Sequence, residues 1–408
     1  MRATLVCALL AGCGADRCAV RDMAYNGERC VELTNGRIAV VVAPRRGGRI
    51  VQLRFDGHDY LRGDRDLAGG GPADCGGDEL RPAPADPRGP ETGAGRAAWD
   101  LQILANHSGE AAVRLTSPED PAAGIRLSRE IRLRPRRTSV DLVAAMDNIA
   151  GRPVRSGIRQ VTRHGGGPEL RAWAPVYRHT RYPQGYRVLL GPEDNPHFTT
   201  IASPGGRLFR LECGRETAKA ALDVAAEWLA VTDDAAGYLY AHTFPAQPGA
   251  EYPDGASVAF TTRPCEAVGP DGAAGEPPRL ESEVSSPYIT LAPGSKYAFA
   301  TRLHLGRGAG PVYYVTENTA IFEPPAWSGG ALAGKLVFFR DGRLFLAGAP
   351  LRSVRAGELL DLAAGAVAAG SAPAPVLLFV MEDAYGQTVQ EIPIAPPAPK
   401  AAAAEEGP

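Results

Sequence analysis

The chain has 408 residues, 44% of them hydrophobic, and its 44 basic and 46 acidic side chains leave a formal net charge of −2. That length exceeds the ~250–300 residues at which single cores stop growing, so one large domain and a smaller one are expected. The near-neutral charge excludes the broad basic footprint of a nucleic-acid-binding protein, and arginine outnumbers lysine so heavily that an isolated arginine is weak functional evidence.

The chain opens with Met1 and Arg2, an apolar run from Leu5 to Leu10, and then small residues. A positive start, an apolar core and a small-residue cleavage site make an export signal, too short for a transmembrane helix. The tetrad Leu10-Ala11-Gly12-Cys13 resembles the bacterial lipobox, which implies that residues 1–12 are removed and that Cys13 is lipidated. Gly14 follows, without the Asp that often retains such proteins at the inner membrane, so the expected location is the cell envelope, at the periplasmic face of the outer membrane. Residues 13–29 are expected to act as a tether.

Of the seven cysteines, Cys7 would leave with the signal and Cys13 would be acylated. Cys18, Cys30, Cys75, Cys213 and Cys265 then remain in an oxidising compartment. Pairings Cys18–Cys30 and Cys213–Cys265 are options, and Cys75 could equally be a buried thiol, because spacing alone does not determine connectivity. No CxxC or HExxH occurs, so no structural zinc site is expected.

Beyond the tether, short apolar and β-branched runs recur between Gly, Pro and Asp clusters: Ile38 to Val42, Ile50 to Phe55, Ala98 to Ala105, Ile125 to Leu133, Val140 to Met146, Val154 to Val161, Tyr238 to Phe244 and Tyr297 to Leu305. This is the pattern of a sandwich or barrel. In the clearest run Ile125, Leu127, Ile131 and Leu133 share one face, and Arg126, Ser128, Glu130 and Arg132 are expected to face water. A turn at Pro135–Thr138 makes a hairpin with the next strand. Glu216–Ala230 has the composition of a helix, so a short helix or loop is expected there before a strand at Trp228–Thr232. The Gly- and Pro-rich stretches Gly69–Gly95 and Val268–Pro278 are too long for simple turns. After a boundary near Gly306–Pro311, strand candidates at Val312–Thr316, Lys335–Phe339, Leu344–Leu346 and Val376–Met381 suffice for a small β-sandwich over 311–394. The Ala/Pro/Glu-rich tail 395–408 is expected to be disordered.

Several ordered blocks resemble the galactose-mutarotase-like superfamily, and most closely a bacterial family known as domain of unknown function 4380. They are Leu33 to Ile38 with Gly47-Gly48-Arg49-Ile50 and Gly57-His58; Gly76 to Pro84; Leu115 to Pro118 with Gly124 to Leu133; and Pro287 with Leu291-Ala292-Pro293-Gly294. The resemblance implies a mostly β chain: a mutarotase-like β-supersandwich over 30–306, with a sugar-binding groove, followed by a small β-sandwich-like domain. It also implies an aldose epimerase mechanism, in which a carboxylate base and a histidine acid act on opposite sides of a pyranose with no metal or cofactor.

On that resemblance Glu281 and Glu283, two apart on a strand and therefore on one face, are the candidate bases, with Glu283 slightly preferred. His164, in Val161-Thr162-Arg163-His164, is the candidate acid, although Gly165-Gly166-Gly167 follows where the mutarotases carry aromatics and Asn. The second mutarotase histidine has no counterpart, since Cys75 precedes Gly76-Gly77. Asp78 and Arg81 fall in the block that would form the groove rim. His197 and Trp99 are further substrate-binding candidates, the alternation of Trp99 with Leu101 and Ile103 favouring a core position for it. The expected partner is a carbohydrate or envelope glycan, with the membrane reached only through the lipid. The alternatives to an epimerase are a non-catalytic glycan-binding protein and a structural envelope protein.

Overall fold

The computed structural model describes residues 16–63, 76–84, 95, 97–214, 216–223, 227–263, 279–328, 331–363, 376–383 and 386–394. The signal segment with Cys13, Cys75, Cys265, most of Gly69–Gly95, Val268–Pro278 and the tail lie outside them. The fold is mostly β, and among the described residues no α-helix forms.

Two large antiparallel sheets stack face to face. The first has twelve strands, with the central order Arg49–Phe55, Asp78–Ala83, Val154–His164, Arg279–Ser285, Val258–Arg263, Ala218–Leu222. The second has ten, running from Phe198–Ser203 at one edge through Leu170–Val176, Tyr238–Thr243, Lys296–Arg307 and Ser139–Asn148 to Asp100–His107 at the other. Period-two alternation builds the core between them. Leu33, Val40, Ile50 and Leu53 of the first sheet meet Leu127, Ile131, Val140 and Leu303 of the second, all essentially inaccessible. Each such side chain contributes ~1.5–3 kcal/mol by leaving water.

The expected hairpin is present, with Leu133 opposite Val140 and Ile131 opposite Leu142. One detail of that strand departs from expectation, and a second was not anticipated. Ser128 is buried rather than solvated, and Arg129, which shares the inward parity of Leu127 and Ile131, points into the core.

Three other expectations are corrected. Residues 19–25 of the supposed tether are a strand, paired along its whole length with Glu28–Thr34, and Cys18 is buried in the intersheet core. Cys30 packs on the other face of that sheet with Val41 and Val51, so Cys18 and Cys30 form no disulfide. Within Glu216–Ala230, Ala218–Leu222 is a strand paired with Val258–Arg263, and Trp228–Asp233 is the expected strand. Helix propensity is a weak prior. Here the small side chains of Ala218 and Ala220 fit the tightly packed intersheet space, and Ala221 meets Ala256 and Ala259 on the opposite face.

The last strands form two four-stranded sheets, one of Tyr314–Val315, Thr319–Ser328, Ala331–Phe338 and Leu359–Asp361, the other of Gly342–Leu346, Ala349–Val354, Val376–Asp383 and Gly386–Pro393. Leu332, Leu336, Phe338, Leu344, Leu377 and Phe379 form a core between them. This unit lies against the large sandwich: Val312, Ala320, Phe322, Val337 and Phe339 pack on Trp173, Trp228, Leu239 and Ala241, which project from the outer face of the second sheet. That contact covers apolar surface of the second sheet and does not involve the outer face of the first sheet.

Candidate functional site

The central strand Val154–His164 decides the site's geometry because its neighbours pair with it in a known register. Arg163 lies opposite Glu281, Val161 opposite Glu283, and Thr162 opposite Ser282. On its other side Val161 lies opposite Glu79 and Thr162 opposite Asp78. Since successive strand side chains alternate, Arg159, Arg163, Glu79, Arg81, Glu281 and Glu283 share one face, while Gln160, Thr162, His164, Asp78 and Ser282 share the other.

The outer face carries a floor of ion pairs. Glu79 accepts from Arg163 Nη2 at 3.0 Å and is also paired with Arg49 and Arg81. Arg163 Nε donates to Glu281 Oε1 at 3.2 Å. Glu283 is held by Lys219 Nζ at 2.7 Å and by Arg159 at 3.6 Å, and Arg159 reaches Asp254 at 2.8 Å. Burial alone would raise the Glu79 pKa, but the guanidiniums of Arg163, Arg49 and Arg81 outweigh it and hold the carboxyl below its ordinary value. The same geometry raises Arg163: burial opposes its charge, and Glu79 and Glu281 more than compensate. Tyr25 packs on this face over the first strands, and Tyr182 donates to the Gly255 carbonyl beside Asp254, so aromatic rings stand near both ends of the floor.

The inner face is a different environment. Asp78, fully buried, pairs with Arg129 from the opposite sheet and accepts from Gln160 Nε2 at 2.9 Å and Thr162 Oγ1 at 2.6 Å. Thr162 contacts Tyr240 Oη at 3.2 Å, and Thr301 Oγ1 donates to Gln160 at 3.3 Å. His164 lies in this layer with Nε2 2.8 Å from Ser282 Oγ and its ring edge-on to Tyr240. Complete burial, with a smaller contribution from His242, depresses its pKa to about 3.

The candidate residues are therefore distributed as follows. Glu281 and Glu283 share a face, but His164 is on the opposite face of the same sheet, so the three do not flank a common space. The register is the physical reason: Glu281 sits opposite Arg163, one residue from the histidine. A histidine that stays neutral down to about pH 3 also lacks the proton an acid must donate at neutral pH, and both glutamates already bind cations. Asp78 is not at a rim but at the centre of the interior network, and Arg81 does lie on the outer face. Trp99 is a core residue whose ring abuts Gly48, where an added Cβ would lie 2.7 Å from Cε3; Leu101 packs beside the core and Ile103 is exposed. His197 packs over Gly214, beside the edge strand Phe198–Ser203 of the second sheet. Sequence reasoning missed Arg49, Glu79, Arg163 and Lys219 on the outer face and Arg129 inside. Only Arg129 carried a signal, as a charge at an inward position of an alternating strand.

The architecture recurs among solved structures. The chain is similar to a TPR-domain containing protein from Parabacteroides distasonis, with a TM-score of 0.50 and 13% identity over 71% of this chain and 49% of that one, so it spans about half of that protein's length. It is also similar to a galactose mutarotase-like protein from Clostridium acetobutylicum, with a TM-score of 0.46 and 11% identity over 71% of this chain and 99% of that one. A putative aldose 1-epimerase from Escherichia coli gives a TM-score of 0.47 and 12% identity over 71% and 99%. At such identities the likeness is one of fold. No protein-family model and no curated protein matches the sequence.

Proposed function

We propose that this chain is a non-catalytic carbohydrate-binding protein on a mutarotase-like scaffold, akin to the domain of unknown function 4380 family, exported and held at the cell envelope by a lipid on Cys13. The observation that carries the reading is the separation of His164 from Glu281 and Glu283 by the thickness of one sheet. It argues against the acid–base pair that epimerisation needs, and the partly exposed groups left for recognition on the outer face are Arg81, Lys219 and Arg159 at the margin of the buried ion pairs. There, Arg159, Lys219, Arg81, Glu281 and Glu283 alternate donors and acceptors, the arrangement that sugar hydroxyls require, with tyrosines near its ends.

The test combines rate and binding. Anomer exchange of glucose, galactose and mannose followed by NMR is expected to run at the buffer rate with wild-type protein, and an enhancement abolished by Glu283→Gln would overturn the non-catalytic reading. A glycan array with the same protein should give binding that Arg81→Gln with Lys219→Gln weakens at least tenfold. Absence of any bound glycan would favour a structural envelope role.

Anchoring has its own expected result. In a bacterial host, palmitate labelling should mark the wild-type chain and place it in the membrane fraction, and Cys13→Ser should lose the label and become soluble. An unlabelled wild type would sink the anchor.

A further inference from the structure

A second site lies away from the sheet face, in a cleft of about 1320 Å³ between the Pro135–Thr138 turn of the large sandwich and the small C-terminal sandwich. Of its twenty lining residues seven are arginines and three are carboxylates, against 44 basic and 46 acidic residues in 408 overall. An arginine-rich composition alone would give about two. The walls are fixed to each other. Arg37 holds Asp341 through both guanidinium arms at 2.5 and 2.8 Å, and backbone bonds join Thr138 N to the Phe339 carbonyl and Asp341 N to the Arg136 carbonyl at 2.9 and 3.1 Å.

Among the described residues the three carboxylates lining the cleft already have arginine partners. Asp341 is taken by Arg37, Glu358 by Arg355, and Glu110 by Arg132 and Arg134. Among the described residues neither Arg136 nor Arg137 has an ion pair, and a backbone bridge sets Arg137 opposite Arg340. Burial, and then the charge of Arg340, depress the Arg137 pKa to about 10. Holding like charges together in a half-buried wall costs free energy that an anion would recover. Arg136 is exposed in the left-handed region, with φ of 56°, at the tip of the turn.

The geometry points to this cleft as a binding site for an anionic oligosaccharide, its carboxylate or sulfate groups held by Arg136 and Arg137 and its hydroxyls by the flanking carboxylates and Ser353. Guanidinium forks match planar and tetrahedral oxyanions, and the interspersed Glu110, Asp341 and Glu358 supply acceptors that a sugar can use and a bare polyphosphate cannot. Phe345 and His107 are the aromatic rings among the described lining residues, which offers little of the stacking surface that single-stranded nucleic acid uses. The site is independent of the sheet face described above.

Titration calorimetry on the full chain tests it, with hexagalacturonate, a heparin-derived sulfated hexasaccharide and neutral maltohexaose as probes. At least one acidic hexasaccharide is expected to bind, weakening as salt rises, and maltohexaose is not expected to bind this site. Arg136→Gln with Arg137→Gln should lower the acidic-sugar affinity at least tenfold, and the exposed Arg136→Gln alone should lower it several-fold without changing Tm. Lack of binding by both acidic sugars at millimolar concentration, or binding that both variants retain, overturns the proposal. Tighter binding of polyphosphate or single-stranded DNA, lost in the same variants, also overturns it. Because Arg81→Gln with Lys219→Gln leaves the cleft intact, failure of the sheet-face reading and failure of this one are separable.

Discussion

Arg129→Met is expected to destabilise the protein by about 3–5 kcal/mol, the usual cost of stripping one partner from a buried ion pair. The pair is fully enclosed: Arg129 and Asp78 are at most 1% exposed and come from different sheets. Loss of the guanidinium removes its bonds to both the carboxylate and the backbone carbonyl of Asp78, leaving the anion with only the neutral donors Gln160 and Thr162. Asp78→Leu combined with Arg129→Met should recover most of the loss, because two apolar side chains impose no desolvation penalty. Urea unfolding at neutral pH measures all three. The same substitution at the exposed pair Arg29–Asp22, whose side chains are 78% and 67% accessible, should cost no more than about 1 kcal/mol. A cost below that at Arg129 would mean that the network does not organise the core.

Arg129 also marks what the sequence could and could not disclose. Alternation located fewer than half of the strands, those such as Ile125–Leu133 and Val154–His164 in which one residue in two meets the opposing sheet; Glu28–Thr34, Glu110–Thr116, Leu170–Val176 and Gly206–Glu212 were not read. Applied strictly, the rule would have placed Arg129 inside with Leu127 and Ile131. The relation between His164 and the glutamates was of another kind. Each strand could be read alone, but the faces of Glu281 and His164 relative to one another depend on interstrand register, and a one-residue slip reverses every side chain. Register is set by the contacts of the whole sheet, with Arg163 opposite Glu281 and Thr162 opposite Asp78, and neither segment encodes it locally. The Ala218–Leu222 strand was hidden for a related reason: alanine carries helix propensity with it, whereas its value here lies in the close packing that only the tertiary structure specifies. The arginine cleft was illegible because its walls, around Arg136 and Arg343, lie some 200 residues apart in a chain where arginine is common.

Acidification should weaken the fold well above the range of ordinary carboxylates. His164, His242 and His304 are fully buried, and burial is the largest cause in each: it lowers His164 to about 3, His242 to about 4 and His304 well below its ordinary value of 6.5. A histidine depressed in the folded state contributes stability that is complete above the unfolded value, and that stability is lost as pH falls from 6.5 toward the folded value, because the unfolded chain binds the proton first. From pH 6.5 to 4.5 a histidine that remains neutral loses roughly 2–3 kcal/mol. Glu79 acts in the same direction at lower pH, its contribution disappearing as pH falls below 4.5 toward its depressed folded value. Urea midpoints at pH 7.5 and pH 4.5 should therefore differ widely. His164→Gln, which retains a neutral hydrogen-bonding group for Ser282 and removes the titration, should narrow the difference by the His164 share. An unchanged pH dependence in that variant would mean that water reaches the imidazole, and would return His164 to consideration as a proton donor. A narrowed one makes the histidine a neutral structural element between the sheets, the opposite of what an epimerase acid must be.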